Sequence, residues 1–443
     1  MISDKSSNSE SLAMKPKPYQ PASTAFVWIW LPRQAEPVVC GRIDLVDGIY
    51  RFTYGRSYLA RTNAIAIWTP ELPLGSSIIV PEAPHVIAGA LRDAAPDQWG
   101  RRVVLYRQFD SRGSDVDTGD LDELSYLLLS GSDRIGALDF QASPTEYVAR
   151  IQQDASLADL LNAAASIEQG IPLSAELEAA LRHGTSIGGA RPKALLVDGC
   201  RKLIAKFSSS RDTLNVVRGE FVAMRIAKLA GLSVANVDLA EVEGKDVLLV
   251  ERFDRVKEKS FWLRKVIISS LTLQGLDENG ARYASYPATA EILRHRARDP
   301  AGDMAELWSR MCFNILVGNT DDHARNHACF WDGETISLTP AYDIDPRPRL
   351  GREANQAMAV NGEDRRSLLA SALAAAGNFG LRQEKAISII AGQIRTIHSY
   401  FRTVAAEAGL TRVEQDRLAG RAILNPYVFE GAPEEIARLE APL

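Results

Sequence analysis

Apolar positions along the chain change their period several times, and each change predicts a new element. From Ala25 to Tyr54 they alternate, first in "AFVWIWLP" and then in "VVCGRIDLVDGIYRFTY", where Asp47-Gly48 supplies a hairpin turn. "IAGALRDAAPDQWGRRVV" has helical spacing broken by a proline, and "LSYLLLSGSDRIGALDF" runs from helix through a glycine-rich turn into a strand. Together they predict a small mixed domain ending near residue 145. "LADLLNAAASIEQG" and "LSAELEAALRHG" follow as amphipathic helices, each closed by a glycine.

Alternation returns around Asp198-Gly199, predicting strands over Ala194–Val197 and Leu203–Phe207. "RGEFVAMRIAKLAG" then reads as a helix ending at Gly231, and "DVLLVERFD" as a buried strand. After Arg264 the pattern becomes mostly helical. The amphipathic helix "MAELWSRMCFNILVGN" leads into a polar cluster, which a second hairpin follows in "ACFWDGETISL", turning at Asp332-Gly333. The C-terminal third, including "EKAISIIAGQIRTIHSYFRTVAAEAG", is helical. The expected class is therefore α+β, with a β-rich half, a helical half and a polar loop cluster between them.

Composition narrows the function. A chain of 443 residues is too long for one small core, and 46% hydrophobic with 24% charged residues is ordinary globular chemistry. A formal charge of −5 excludes a strong basic footprint for direct nucleic-acid binding, although Arg347 and Arg349 in "PRPRL" form a local basic pair. Cys40, Cys200, Cys312 and Cys329 make no C-x-x-C pair, which suits a reducing cytoplasm better than a disulfide framework. No stretch reaches transmembrane length, and the Ser/Lys/Pro-rich opening over residues 1–23 is expected to be a disordered tail.

The polar cluster is "VGNTDDHARNH", Val317 to His327. His323 and His327 have the spacing of H-E-x-x-H, but the residues between them include no glutamate to act as a metalloprotease base. Phosphoryl transfer explains more. A kinase catalytic loop places its magnesium-binding Asn five residues after its catalytic Asp, and Asp321 with Asn326 has that offset while Asp322 does not. Asp343 in "LTPAYDID" follows the next hairpin, where a second metal-binding carboxylate belongs, although Ile344 and Asp345 replace the usual Phe-Gly. Lys202 and Lys206 share one face of a predicted strand; Lys206 is nearer its centre, and Glu220 stands in the first turn of the helix after it. Adjacent Gly188 and Gly189 in "SIGGARPK" can offer backbone N–H groups to an anion. Asp322 has no assigned role.

"SIGGARPKALL", "VERFDR", "GNTDDHARNH" and "LTPAYDIDP", in this order, resemble the HipA-like serine/threonine kinases, toxins of HipBA-type toxin–antitoxin modules. "GRIDLVDGIYRFTY", "PDQWGRR" and "SGSDRIGALDF" resemble that family's small first domain, so the likeness spans roughly residues 25–430. It implies a protein-kinase-like two-lobed fold with ATP between the lobes. The expected parts are a β-rich N-terminal subdomain over 24–147, a kinase N-lobe part over 148–262 and a helical C-lobe over 263–443.

By the same resemblance Asp321 is the catalytic base, and Asn326 and Asp343 bind Mg²⁺. ATP contacts fall to Lys206, Glu251, Phe253, Ile187, Gly188 and Gly189, with Glu220 and His323 in support. Ser186 occupies the position of an inactivating autophosphorylation. The implied target is an aminoacyl-tRNA synthetase, whose modification arrests growth, in the cytoplasm and away from membranes. The implied partner is a HipB-like helix-turn-helix antitoxin that carries the DNA contacts. Two other functions fit the same residues: a kinase of a lipid or small molecule, since "DDHARN" also matches D-x-H-x-x-N, and a non-catalytic co-repressor subunit.

Overall fold

The computed structural model describes residues 20–109, 117–119, 121–150, 156–171, 177, 191–208, 215–349 and 351–443. The expected glycine-rich element with Ser186, Ile187, Gly188 and Gly189, most of the helix "LSAELEAALRHG" and the N-terminal tail through Tyr19 lie outside the described residues.

Strands β1 (Thr24–Ile29), β2 (Val38–Val46), β3 (Ile49–Tyr54) and β4 (Leu138–Gln141) form an antiparallel sheet in the order β3-β2-β1-β4. Asp47 and Gly48 take φ of 53° and 77°, and Val46 pairs with Ile49 across them. Two positive φ values suit the right-handed twist of a two-residue hairpin. The proline-interrupted helix resolves into two, Gly89–Arg92 and Gln98–Phe109. Pro96 lies in the break, and Asp97 behind it accepts the Gly100 N–H at 2.7 Å.

The second sheet contains β5 (Lys193–Asp198), β6 (Arg201–Phe207), β7 (Val237–Val242) and β8 (Lys245–Glu251), ordered β5-β6-β8-β7. Asp198 pairs with Arg201, so the turn is Gly199-Cys200, one residue later than expected. Gly199, at φ 57°, takes the left-handed position. Ala194, Ala205, Phe207 and Val247 pack in one cluster with Trp99, Val103 and Tyr106 of the Gln98–Phe109 helix. Leu160, Leu161 and Ile167 of the helix Leu157–Gln169 join the same cluster. Fully burying side chains of this size contributes about 1.5–3 kcal/mol each, so the N-terminal helix is bound firmly to the second sheet.

Mostly helical structure after Arg264 was the expectation, but Val266–Ser269 is a strand. After a ribbon of β9 (Arg255–Glu258) and β10 (Phe261–Arg264), this β11 joins β12 (Ala328–Trp331) and β13 (Ile336–Leu338) in a sheet ordered β11-β12-β13. Three apolar residues and a serine give no alternation long enough to mark it. Helices Tyr286–Arg296, Pro300–Val317 and Gln383–Glu407 build the rest of the C-terminal part around fully buried Leu307, Trp308 and Ile394.

Candidate active site

The helix Pro300–Val317 starts with Asp299 accepting the Gly302 N–H at 3.1 Å and Pro300 in its first turn. It ends on Gly318 at φ 71°. A Cβ at Gly318 would lie 2.7 Å from the carbonyl oxygen of Ala422, so only glycine fits this helix end. The chain then enters the polar cluster, where two adjacent aspartates have opposite surroundings.

Asp322 is 2% exposed. Its Oδ2 accepts from the Tyr286 hydroxyl, from Asn314 Nδ2 at 2.6 Å and from His327 Nε2 at 2.9 Å. Three donors satisfy a buried carboxylate and pin the loop to the helix before it and the strand after it. Burial first, and then Asp322, push the Tyr286 phenol well above its usual range. His327, half of the pair that suggested a metal site, is committed to this contact. Asp321 instead has a half-exposed side chain, at 49%, and among the described residues one ionic partner, Arg347 Nη2 at 2.8 Å. The spacing that selected Asp321 thus selected the accessible carboxylate.

Asn326 is 8% exposed and forms no side-chain hydrogen bond among the described residues. His323 keeps a buried Nδ1 without a partner and lies within electrostatic reach of Asp343. Asn319 ties the two loops together: its Nδ2 donates to Asn314 Oδ1 at 3.1 Å and to the Asp343 carbonyl at 3.3 Å. Asp343 itself stands at φ 60°, a left-handed conformation that aspartate tolerates better than most residues.

Lys206 joins these loops to the second sheet. Its Nζ donates to Glu220 Oε1 at 2.6 Å and to Asp343 Oδ1, 137 residues away in the chain. The helix carrying Glu220 begins at Val216, capped by Asn215 accepting the Arg218 N–H at 3.1 Å. Glu220 therefore sits in the second turn rather than the first. Burial would lower the lysine, but Asp343 and Glu220 hold it above its usual range. One ammonium cannot fully satisfy two carboxylates, and burial divides them. Asp343, with its side chain 40% exposed, is held well below the usual carboxylate range by Lys206, Lys193 and His323 against the effect of desolvation. Burial pushes Glu220 up to about 7, with Lys206 opposing and Asp343 adding to the rise.

Lys193 pairs directly across from Lys206 in the strand register. Its Nζ lies 3.2 Å from Asp97, and Trp99 Nε1 donates to its carbonyl at 3.0 Å. Sequence reading missed both residues as neighbours of the site. Lys202, the lysine set aside, belongs to another cluster. Its Nζ is 2.5 Å from Asp133, which also accepts from Arg252 at 3.0 Å and Arg255 at 2.9 Å. Asp254 closes that cluster at 2.8 Å from both arginines. "SGSDR" and "VERFDR" are thus two halves of one buried network between the N-terminal domain and the second sheet.

Glu251 ends β8 and accepts from Asn236 Nδ2 at 3.0 Å. Phe253, half-buried two residues later, packs with Phe330 and Tyr342 at ring separations of 5.9 and 5.6 Å.

Among the described residues no three of His, Cys, Asp and Glu gather as a metal cage. Kinase magnesium sites use one or two carboxylates with substrate phosphates, so a partly exposed Asp343 and an unengaged Asn326 amide suit them.

Two family profiles match the chain: the HipA N-terminal domain over residues 35–141 and the HipA-like C-terminal domain over residues 185–401. The serine/threonine-protein kinase toxin HipA of Shewanella oneidensis is 28% identical over 216 residues, covering 43% of this chain and 50% of that protein. A putative kinase of Sinorhizobium fredii, Y4mE, is 27% identical over 174 residues, covering 36% of this chain and 41% of that one. The chain thus spans about half the length of the curated relatives it matches. In overall fold it matches a chain of the solved Shewanella oneidensis MR-1 complex of HipA, HipB and operator DNA. That match has a TM-score of 0.64 and 19% identity, covering 91% of this chain and 94% of that one. The architecture is a mixed α+β HipA kinase fold, with a β-sheet in the N-terminal part and a helical C-terminal part. The chain belongs to the HipA family, with that family's N- and C-terminal domains and its serine/threonine-kinase homology.

Proposed function

We propose that this protein is an ATP-dependent serine/threonine protein kinase acting as the toxin of a HipBA-type module. The observation that carries the reading is the ion pairing of Lys206 with both Glu220 and Asp343, which unites a strand lysine, a helix glutamate and the carboxylate after the catalytic-type loop. That triad is the phosphate-positioning device of kinases. In this reading Lys206 takes the nucleotide phosphates, Glu220 orients it, and Glu251 and Phe253 flank the adenine. The backbone of Ile187, Gly188 and Gly189 covers the phosphates.

Asn326 and Asp343 would hold Mg²⁺, which supplies charge neutralisation on the phosphate oxygens. Asp321 receives the acceptor hydroxyl's proton, and Arg347 orients that carboxylate until the acceptor arrives. His323 supports the loop. Autophosphorylation of Ser186 adds close to two negative charges to an anion-filled site and so favours departure of its loop. The proposed acceptor is a translation protein of the aminoacyl-tRNA synthetase class, and the proposed antitoxin is a HipB-like protein that carries the DNA contacts. A cytoplasmic setting accords with four free cysteines, and no helix among the described residues is long and apolar enough to cross a membrane.

Labelled ATP tests this directly. Protein acceptors should take up phosphate from the wild-type chain, and Asp321→Asn should cut incorporation by about 10²–10⁴-fold. Label entering lipid or sugar but no protein would overturn the acceptor class. Unchanged incorporation and growth arrest with Asp321→Asn would overturn the mechanism. Mass spectrometry of ATP-treated protein should find phosphate on Ser186.

A further inference from the structure

Asn326 makes no side-chain hydrogen bond among the described residues, so its neighbours must place it. The residue before it has a long reach. Arg325 Nη1 donates to Asp93 Oδ1 at 3.3 Å and its Nε to Glu278 Oε1 at 3.0 Å. Its carbonyl accepts from the Tyr342 hydroxyl at 2.7 Å, and Tyr342 directly precedes Asp343. Arg325 thus touches the loops of both proposed metal ligands. Of its two carboxylates, Glu278 is half-exposed and shared with Arg92 at 3.5 Å. Asp93, which ends the helix Gly89–Arg92 of the N-terminal domain, is 8% exposed and so less screened by solvent.

Asp93 also holds the far side of the same segment. Its Oδ2 accepts the Ser269 N–H and its Oδ1 the Ser269 hydroxyl, both at 2.7 Å. Ser269 pairs with Ala328 in the β11–β12 register, and the Ser270 N–H donates to the His327 carbonyl at 2.7 Å. Asn326 lies between these two holds, one through Arg325 and one through Ser269. We infer that Arg325 is a positioning residue: pinned by Asp93, it sets Asn326 against Asp343 and so sets the site's affinity for a divalent cation. The inference rests on the kinase reading for the metal, and it gives the N-terminal domain a part in metal binding. Groups that orient metal ligands from behind are typically worth about 10–100-fold in metal affinity.

The test follows Mn²⁺ binding to the full chain in a saturating non-hydrolysable ATP analogue. Water-proton relaxation enhancement separates ion held by the protein from ion on free nucleotide. The wild type should bind the ion and Asp343→Asn should lose it, which marks the site. Arg325→Gln and Asp93→Asn should each weaken binding by at least about tenfold. Arg325→Lys keeps a cation between Asp93 and Glu278 and should recover most of that loss. Phosphate incorporation by Arg325→Gln should return toward wild type when Mg²⁺ is raised by the same factor, a rescue that general damage to the fold would not allow. Wild-type Mn²⁺ affinity in Arg325→Gln or in Asp93→Asn, or a loss of incorporation that no Mg²⁺ concentration recovers, overturns the inference. With Asp343→Asn still losing the ion, that result leaves the kinase reading standing. If Arg325→Gln does not fold, the isosteric Asp93→Asn decides alone. No ion bound by the wild type, or full binding by Asp343→Asn, would refute the kinase reading itself and take the inference with it.

Discussion

Strand β6 carries two lysines on one face, four residues apart, and each enters a buried ion cluster. The clusters differ in closure. Around Lys202, Asp133 and Asp254 are each shared by Arg252 and Arg255, and both arginine side chains are at most 1% exposed. Three cations there face two carboxylates, and the arginines are shut off from solvent. Around Lys206, Glu220 is buried, but Asp343 has its side chain 40% exposed in a left-handed turn. One cation there serves two carboxylates, and one of them can leave. A closed network fixes two domains together, whereas an open one can exchange partners with a ligand. Residue type alone does not separate these roles.

The largest effect should come from exchanging the two lysines' fates. Lys206→Met is expected to lower phosphate incorporation by about 10²-fold or more, while Lys202→Met leaves it near wild type. Equal loss in both, measured with labelled ATP on folded protein, would dissolve the distinction between the clusters. Stability should show the opposite bias. Asp133→Ala strands three buried cations and is expected to cost about 3–5 kcal/mol in chemical denaturation, with Asp343→Ala costing far less.

The smaller effect is in the pH dependence, where the clusters should have opposite slopes. Desolvation would raise Asp133, but Arg252, Arg255 and Lys202 hold it well below 3.8. A carboxyl lowered on folding stabilises above its unfolded value, so this contribution is lost as pH falls below about 4. Glu220 is raised from 4.5 to about 7, so the folded state binds the extra proton and its contribution falls as pH rises across that window. Glu220→Gln should flatten stability between about pH 5 and 7, a change on the order of 1–3 kcal/mol in urea melts across that range. An unchanged slope would show that Lys206 neutralises Glu220 fully.

The sequence showed the parts that obey short-range rules. The offset of Asp321 and Asn326, the alternation that pairs Lys202 with Lys206, and the helix leading into the cluster are all local. What it concealed was long-range. Asp322 gains its role from Tyr286, 36 residues upstream, and Asp133 from Arg252 and Arg255, 119 and 122 residues downstream. Neither aspartate belongs to a spacing pattern, and both look like turn residues until the fold closes. β11 was hidden for a different reason, since three apolar residues and a serine before a helix have no period of their own. The start of the Glu220 helix moved by two residues because Asn215 caps it from outside the apolar pattern.

The contact of Trp99 and Asp97 with Lys193 limits how the molecule can be divided. A chain begun after residue 150 would keep every proposed catalytic residue yet lose Trp99, Val103 and Tyr106 from the cluster around Ala194, Ala205, Phe207 and Val247. It would also remove Asp97, which lies 3.2 Å from the Nζ of Lys193 beside Lys206. The N-terminal domain is thus packed into the second sheet, whose strands carry Lys193 and Lys206.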